Sequence, residues 1–145
     1  MPDLFAQAQG EVAALSASYD KKDYAAVVAH APAVLNAVKG LTTAAAAKKD
    51  EMEKALGNEW RSLSASVRQS LSAVQSRVEE LSQTKHVPKG VDLGLAKSGL
   101  ADATSAWGKA QEAFKSGNPS EAVAAAKDAQ GKLASAAAAL KLNPS

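Results

Sequence analysis

Cysteine is absent from this 145-residue chain, and its absence excludes several kinds of site. Without thiolates the chain cannot build a disulfide scaffold, a zinc ribbon or an iron–sulfur cluster. The compartment stays open, because a cysteine-free chain suits both the cytoplasm and export. A native start at Met1 would place the protein in the cytoplasm, whereas a removed leader would place it in the periplasm or outside the cell.

Aromatic residues, net charge and long apolar runs are also scarce. Aromatics make up 4% of the chain, and alanine supplies much of the apolar content, which favours closely packed helices over a sheet. The balance of 17 basic and 15 acidic residues leaves a formal charge of +2, too little to indicate nucleic-acid binding. No run approaches 18 consecutive apolar residues, so we expect no transmembrane segment.

Apolar residues recur at alternating intervals of three and four along most of the chain, which is the period of an amphipathic helix. The pattern predicts an all-α fold, a single antiparallel bundle of about five helices within residues 1–145. The predicted helices cover 3–20, 23–56, 59–83, 92–116 and 119–141. They form an N-terminal hairpin (3–41), central helices (42–83), a loop (84–92) and a C-terminal hairpin (92–141).

Local signals predict where these helices begin and end. Asp23 and Asp92 are candidate N-caps, and the segment Asn118-Pro119-Ser120-Glu121 has the pattern of a capping box with proline in the first turn. The last helix is expected to stop near Asn143-Pro144. A central turn is expected at Gly57-Asn58 or at Ser64-Ala65-Ser66, because a domain of this size is not expected to hold one long straight helix.

The two terminal hairpins resemble each other at an offset of 95 residues. This offset places Val12 on Trp107, Tyr19 on Phe114 and Asp23 on Asn118, without a gap. Identities are few, so an internal duplication and a chance similarity of two amphipathic hairpins are both open readings.

The segment from Ala110 to Val123 resembles the helix–turn–helix core of a tetratricopeptide repeat, and residues 19–28 resemble it more loosely. The resemblance covers the terminal hairpins alone, and the closing proline of the repeat is missing. It implies helical hairpins of that type at the two ends of the chain.

The sequence contains no arrangement of residues that is typical of a catalytic or metal site. His30 and His86 have no second histidine or carboxylate at ligand spacing, and the carboxylates do not converge. We therefore predict a protein that is not an enzyme and that needs no cofactor or metal.

Two residue groups are weaker candidates for binding. The first is a possible anionic-ligand patch, for which a solvated basic rim is the alternative; it comprises Lys85, His86, Lys89 and Lys97. The second is the tryptophan pair Trp60 and Trp107, whose stripe positions indicate core residues and whose alternative role is in an interface.

The function predicted from these features is a helical interaction or scaffold module whose partner is another protein. The alternative is a carrier that encloses a small apolar or anionic ligand between its helices.

Overall fold

The computed structural model describes residues 2–142 and contains four α-helices and, within that range, no strand. They are α1 (Pro2–Asp20), α2 (Tyr24–Gln83), α3 (Leu93–Lys115) and α4 (Pro119–Ala139). The all-α class is therefore confirmed. The count of about five helices is wrong, because the two predicted central helices are one continuous helix, α2. The expected stop near Asn143-Pro144 lies outside the described residues.

The predicted central turn is absent, and burial on both sides of it explains why. Gly57 costs about 1 kcal/mol in a helix interior relative to alanine, but Leu56 and Trp60 both pack against the core and hold the helix across it. The serine run is held in the same way by Leu63 and Val67, which are 9% and 0% exposed. Tertiary packing therefore overrides both local breaking signals.

The chain divides into two compact units, with the boundary between Met52 and Glu53. The N-terminal unit contains α1 and the first part of α2, which form a helical hairpin. The C-terminal unit contains the remainder of α2 together with α3 and α4, which form a three-helix bundle.

The C-terminal unit has a well-defined core that combines many alanines with larger apolar side chains. Helices α3 and α4 meet through alanines, closely enough that a Cβ on Gly99 would lie 3.1 Å from the Cβ of Ala136. The α2 segment supplies larger aliphatic side chains over this alanine-rich pair. The fully or nearly buried members of the core are Leu63, Val67, Val74, Val78, Leu81, Ala96, Ala103, Ala106, Trp107, Ala110, Val123, Ala126, Ala129, Leu133, Ala136 and Leu140.

Polar contacts also join α2 to α4 at the edge of this core. Lys127 Nζ lies 2.6 Å from Glu59 Oε1, and the Gln130 side-chain amide donates to Ser66 Oγ at 3.2 Å. These contacts are exposed, so they fix the register of the two helices more than they stabilise the fold.

The turns of the two terminal hairpins have the same geometry. Each helix ends at a residue with positive φ, Lys22 at 57° and Gly117 at 80°. The next amide then donates to the carbonyl five residues earlier, at 3.0 Å for Asp23 and 2.9 Å for Asn118. This is the Schellman pattern, which satisfies the last carbonyls of a helix. The 95-residue offset that aligns the two sequences therefore aligns the two turns as well.

Two of the three predicted helix caps are confirmed. Asp23 Oδ1 accepts from the amide of Ala26 at 3.1 Å, and Asp92 Oδ1 accepts from the amide of Leu95 at 2.9 Å. Asn118 occupies the N-cap position of α4 as predicted, with Pro119 in the first turn, but the side-chain hydrogen bond of the capping box is absent. Pro119 does not cause this absence, because a cap accepts from the second or third helical amide and not from the first.

Replacing Asp92 by alanine should lower the free energy of unfolding by about 1 kcal/mol, because the amide of Leu95 loses its acceptor. The matched change Asn118→Ala removes no capping bond and should change stability by less than about 0.5 kcal/mol. Urea unfolding followed by circular dichroism measures both. Equal losses in the two variants would contradict the assignment of the caps.

The two units should respond very differently to loss of the same side chain. Leu133→Ala empties a buried site in the C-terminal unit and should cost about 2–5 kcal/mol. Leu35→Ala trims a leucine that is 61% exposed, so the C-terminal unit should lose less than about 0.5 kcal/mol. Tryptophan fluorescence during urea unfolding is the suitable probe, because both tryptophans lie in the C-terminal unit. A comparable loss in the two variants would show that Leu35 supports that core.

Candidate interaction site

The N-terminal hairpin buries very little of itself. Within residues 2–52, Ala8 is the only fully buried residue, and the contact between the helices otherwise uses half-buried positions such as Leu15, Val34 and Leu41. Most large apolar side chains of this unit point away from the contact and are exposed. The unit is therefore a two-helix layer whose large apolar side chains remain mostly exposed.

We name the main exposed set the hairpin face. Its members are large apolar residues from both helices, between 46% and 73% exposed. They are Phe5, Val12, Tyr19, Tyr24, Val28, Leu35 and Val38. Where the helices meet at the turn, the rings of Tyr19 and Tyr24 contact edge to face with centroids 6.2 Å apart.

The C-terminal hairpin shows that these positions share one side. The 95-residue offset places Val12 on Trp107 and Val38 on Leu133, and both matched residues belong to the core that α2 covers. Leu35 falls on Gln130, which donates to Ser66 of α2. The positions of Val12 and Val38, which are exposed in the first hairpin, thus match positions that are buried in the last one.

Charged residues are almost missing from the body of the hairpin. Glu11 is the only charged residue between residues 4 and 19, and Lys39 is the only one between residues 24 and 47, with His30 as a second titratable group. Lysines and acids are concentrated at the turn, over 20–23, and again from Lys48 onward. The hairpin face therefore offers contact area and shape, with little electrostatic selectivity.

A shallow depression lies beside part of the hairpin face. It has a volume of about 380 Å³, is open to solvent, and is lined mainly by apolar atoms of residues that include Phe5, Val12 and Leu41. Its open form suits a protruding side chain of a packed partner better than a ligand that must be enclosed.

The predicted anionic-ligand patch lies on the C-terminal unit and is fully exposed. Lys85, His86 and Lys89 belong to the connection between α2 and α3, and Lys97 lies in α3. No hydrogen bond or ion pair joins the four within the described residues. The carbonyl of Lys89 accepts from Lys141 Nζ at 3.3 Å, so this segment contacts the end of the chain through its backbone.

Lys97 instead borders a groove between α2 and α3. The groove has a volume of about 740 Å³, and its lining includes the apolar residues Val78 and Leu100 together with the charged residues Glu79 and Lys97. It is open and holds charges of both signs. Lys85, His86 and Lys89 are not among the residues that line this groove, so an anion site formed by all four residues stays a prediction.

The two tryptophans form an aromatic stack with Phe114. The centroid of the Trp60 ring lies 5.3 Å from that of Trp107 and 4.6 Å from that of Phe114, with near-parallel planes in both pairs. Trp107 is buried and Trp60 is half-buried. The structure places Trp107 in the core, where its stripe position predicted it, and Trp60 at the edge of that core.

Helix α2 is long and apolar enough, by length and composition alone, to cross a membrane. It holds an 18-residue window of mean hydropathy 1.2, and none of that window is buried. The sequence predicted no transmembrane segment because it has no uninterrupted run of 18 apolar residues. The mean hydropathy of an 18-residue window is a different measure, because it can be high even when polar residues interrupt the window. Among the described helices only α2 meets the measure.

Comparison with known proteins gave no matching family model, no matching curated protein and no matching solved structure. The resemblance of the terminal hairpins to tetratricopeptide repeats therefore gains no support from these comparisons.

Sequence reasoning missed the hairpin face because it assigned every apolar stripe to the core. The overlooked signal is that α2 carries two stripes in its first half. Val27, Val34 and Leu41 are half-buried, whereas Tyr24, Val28, Leu35 and Val38 are exposed.

The aromatic stack predicts a measurable coupling between Trp60 and Phe114. Stacked aromatic pairs contribute about 0.5–1.5 kcal/mol beyond their buried area. A double-mutant cycle of Trp60→Ala and Phe114→Ala, measured by urea unfolding, should give a coupling in that range. Additivity to within about 0.3 kcal/mol would show that the two rings do not stabilise each other.

Proposed function

We propose that this protein is a non-enzymatic helical interaction module whose N-terminal hairpin presents its apolar face to another polypeptide. The observation that supports the proposal is the contrast between equivalent positions of the two hairpins. Val12, Val28 and Val38 are exposed, whereas Trp107, Val123 and Leu133 are 7%, 4% and 2% exposed. Within the described residues, the C-terminal hairpin packs with part of α2 as a third helix, and the N-terminal unit contains only its two helical segments.

A hairpin with one buried residue lacks the tertiary packing that normally stabilises helices. Most helical stability in proteins comes from tertiary packing of an apolar face, and isolated short helices are marginal in water. Large apolar patches on monomers are unusual and mark interaction sites. A helical partner would supply the packing that α1 and the first part of α2 lack.

The carrier alternative requires an enclosed cavity, and the described cavities are open. The C-terminal core is filled, with α3 and α4 in alanine contact, and the hairpin depression opens to solvent. An apolar ligand bound on the hairpin face would still be consistent with a carrier, so the experiment below also detects a bound small molecule.

Native mass spectrometry of the protein drawn gently from its own source tests the proposal. The monomer of 14.8 kDa should carry an added mass equal to a polypeptide, either a second copy or another protein. The variant Val12→Glu/Val38→Glu should lose that added mass, because a charge would then be buried without a partner.

The matched control is Val87→Glu, the same change at a valine 42% exposed in the connection between α2 and α3. It should keep the added polypeptide. A bare monomer would contradict the proposal, as would a small-molecule increment, which would favour the carrier.

A further inference from the structure

We propose that the occupant of the hairpin face is a second copy of this chain, so that two N-terminal hairpins pair into a four-helix bundle. This inference rests on the proposed function and names its partner. Three properties of the hairpin carry it: the exposed area, the charge distribution and the number of helices that need cover.

The exposed apolar area is close to what one side of an interface needs. If a phenylalanine or tyrosine contributes about 150–250 Å² when fully exposed and a valine or leucine about 60–120 Å², the exposed fractions give the hairpin face roughly 400–700 Å². The largest apolar patch on a typical monomer is about 300–600 Å², and each partner in a standard interface contributes about 800 Å². Two hairpin faces together therefore reach about the lower limit of a standard interface.

The charge distribution suits pairing of the face with itself. A twofold interface joins the same patch on both subunits, so the patch must complement itself. Glu11 and Lys39 are the only charged residues in the body of the hairpin, which leaves little like-charge repulsion between two copies. At the turn, Asp20 and Asp23 accompany Lys21 and Lys22, so two such ends also meet without net repulsion.

When two hairpins pair, each one buries the exposed apolar residues on both helices of the other. The hairpin face takes residues from α1 and from α2, so its cover must contact both. In an antiparallel four-helix bundle each helix contacts two neighbours and directs its apolar stripe inward. The C-terminal unit buries its apolar side chains with three helices, because α2 continues over α3 and α4.

Sedimentation velocity of the full chain across the micromolar range is the first test. We expect a concentration-dependent transition from 14.8 kDa to twice that mass. Val38→Glu should raise the dissociation constant at least ~100-fold through an unpaired buried charge. The matched Val87→Glu should change it by no more than ~2-fold. A monomer at every concentration, or a dimer that survives Val38→Glu, would overturn the proposal.

A second measurement is needed because Val38→Glu could unfold the hairpin instead of only separating two copies. The chain has no cysteine, so Val12→Cys, midway along α1, introduces a single thiol. With oxidised glutathione as oxidant, this variant should form a disulfide-linked dimer at least ~10-fold faster than Val87→Cys, because association raises the effective thiol concentration. Equal rates for the two variants would overturn the proposal.

Two further arms separate failure of this inference from failure of the proposed function. If the wild-type chain stays monomeric and floats with phosphatidylcholine and phosphatidylglycerol vesicles, a bilayer covers the face, and both statements are overturned. If it stays monomeric alone and the native complex contains a different polypeptide lost in Val12→Glu/Val38→Glu, the second copy is overturned and the interaction function stands.

Discussion

The structure depends on one constraint: the apolar side of a helical hairpin has to be buried against the apolar side of a third helix. Helices α3 and α4 meet through alanines and can approach closely, but alanine buries too little area to hold a unit by itself. The leucines and valines of α2 supply the missing burial, and Trp107, Val123 and Leu133 lie beneath them. Without that cover the C-terminal hairpin would expose the same positions that the N-terminal hairpin exposes.

The same constraint explains the length of α2. Its second half is held helical by burial at Leu63, Val67 and Val74, so a glycine and a run of serines do not interrupt it. Its first half has no such support and carries its large side chains into solvent. One helix therefore has two environments, and its two halves belong to different compact units.

The sequence predicted the helical class, most helix ends and two of the three caps, because periodicity and capping chemistry are local. It did not predict the unbroken α2, since the packing that overrides Gly57 comes from α3 and α4. It also did not separate the two α2 stripes, because a side chain such as Leu35 is apolar whether it is covered or not. The basic residues around His86 were proposed together from the sequence, and of these only Lys97 lines the groove between α2 and α3.

The N-terminal and C-terminal hairpins are similar in sequence pattern and differ in burial. The two hairpins share their turn geometry and their stripe positions, and they differ in whether a third helix is present. Under the proposed function, the protein covers one apolar face internally and associates through the equivalent face of the other hairpin. The hairpin face has few charges, which favours a partner that is equally apolar.

Hydrogen exchange of backbone amides at several protein concentrations tests the central claim most directly, because protection follows local packing. The account predicts that amides of α1 and of the first part of α2 gain protection as the concentration rises, while those of α3 and α4 do not change. Exchange in the hairpin that is independent of concentration would contradict the claim that a second copy covers its face.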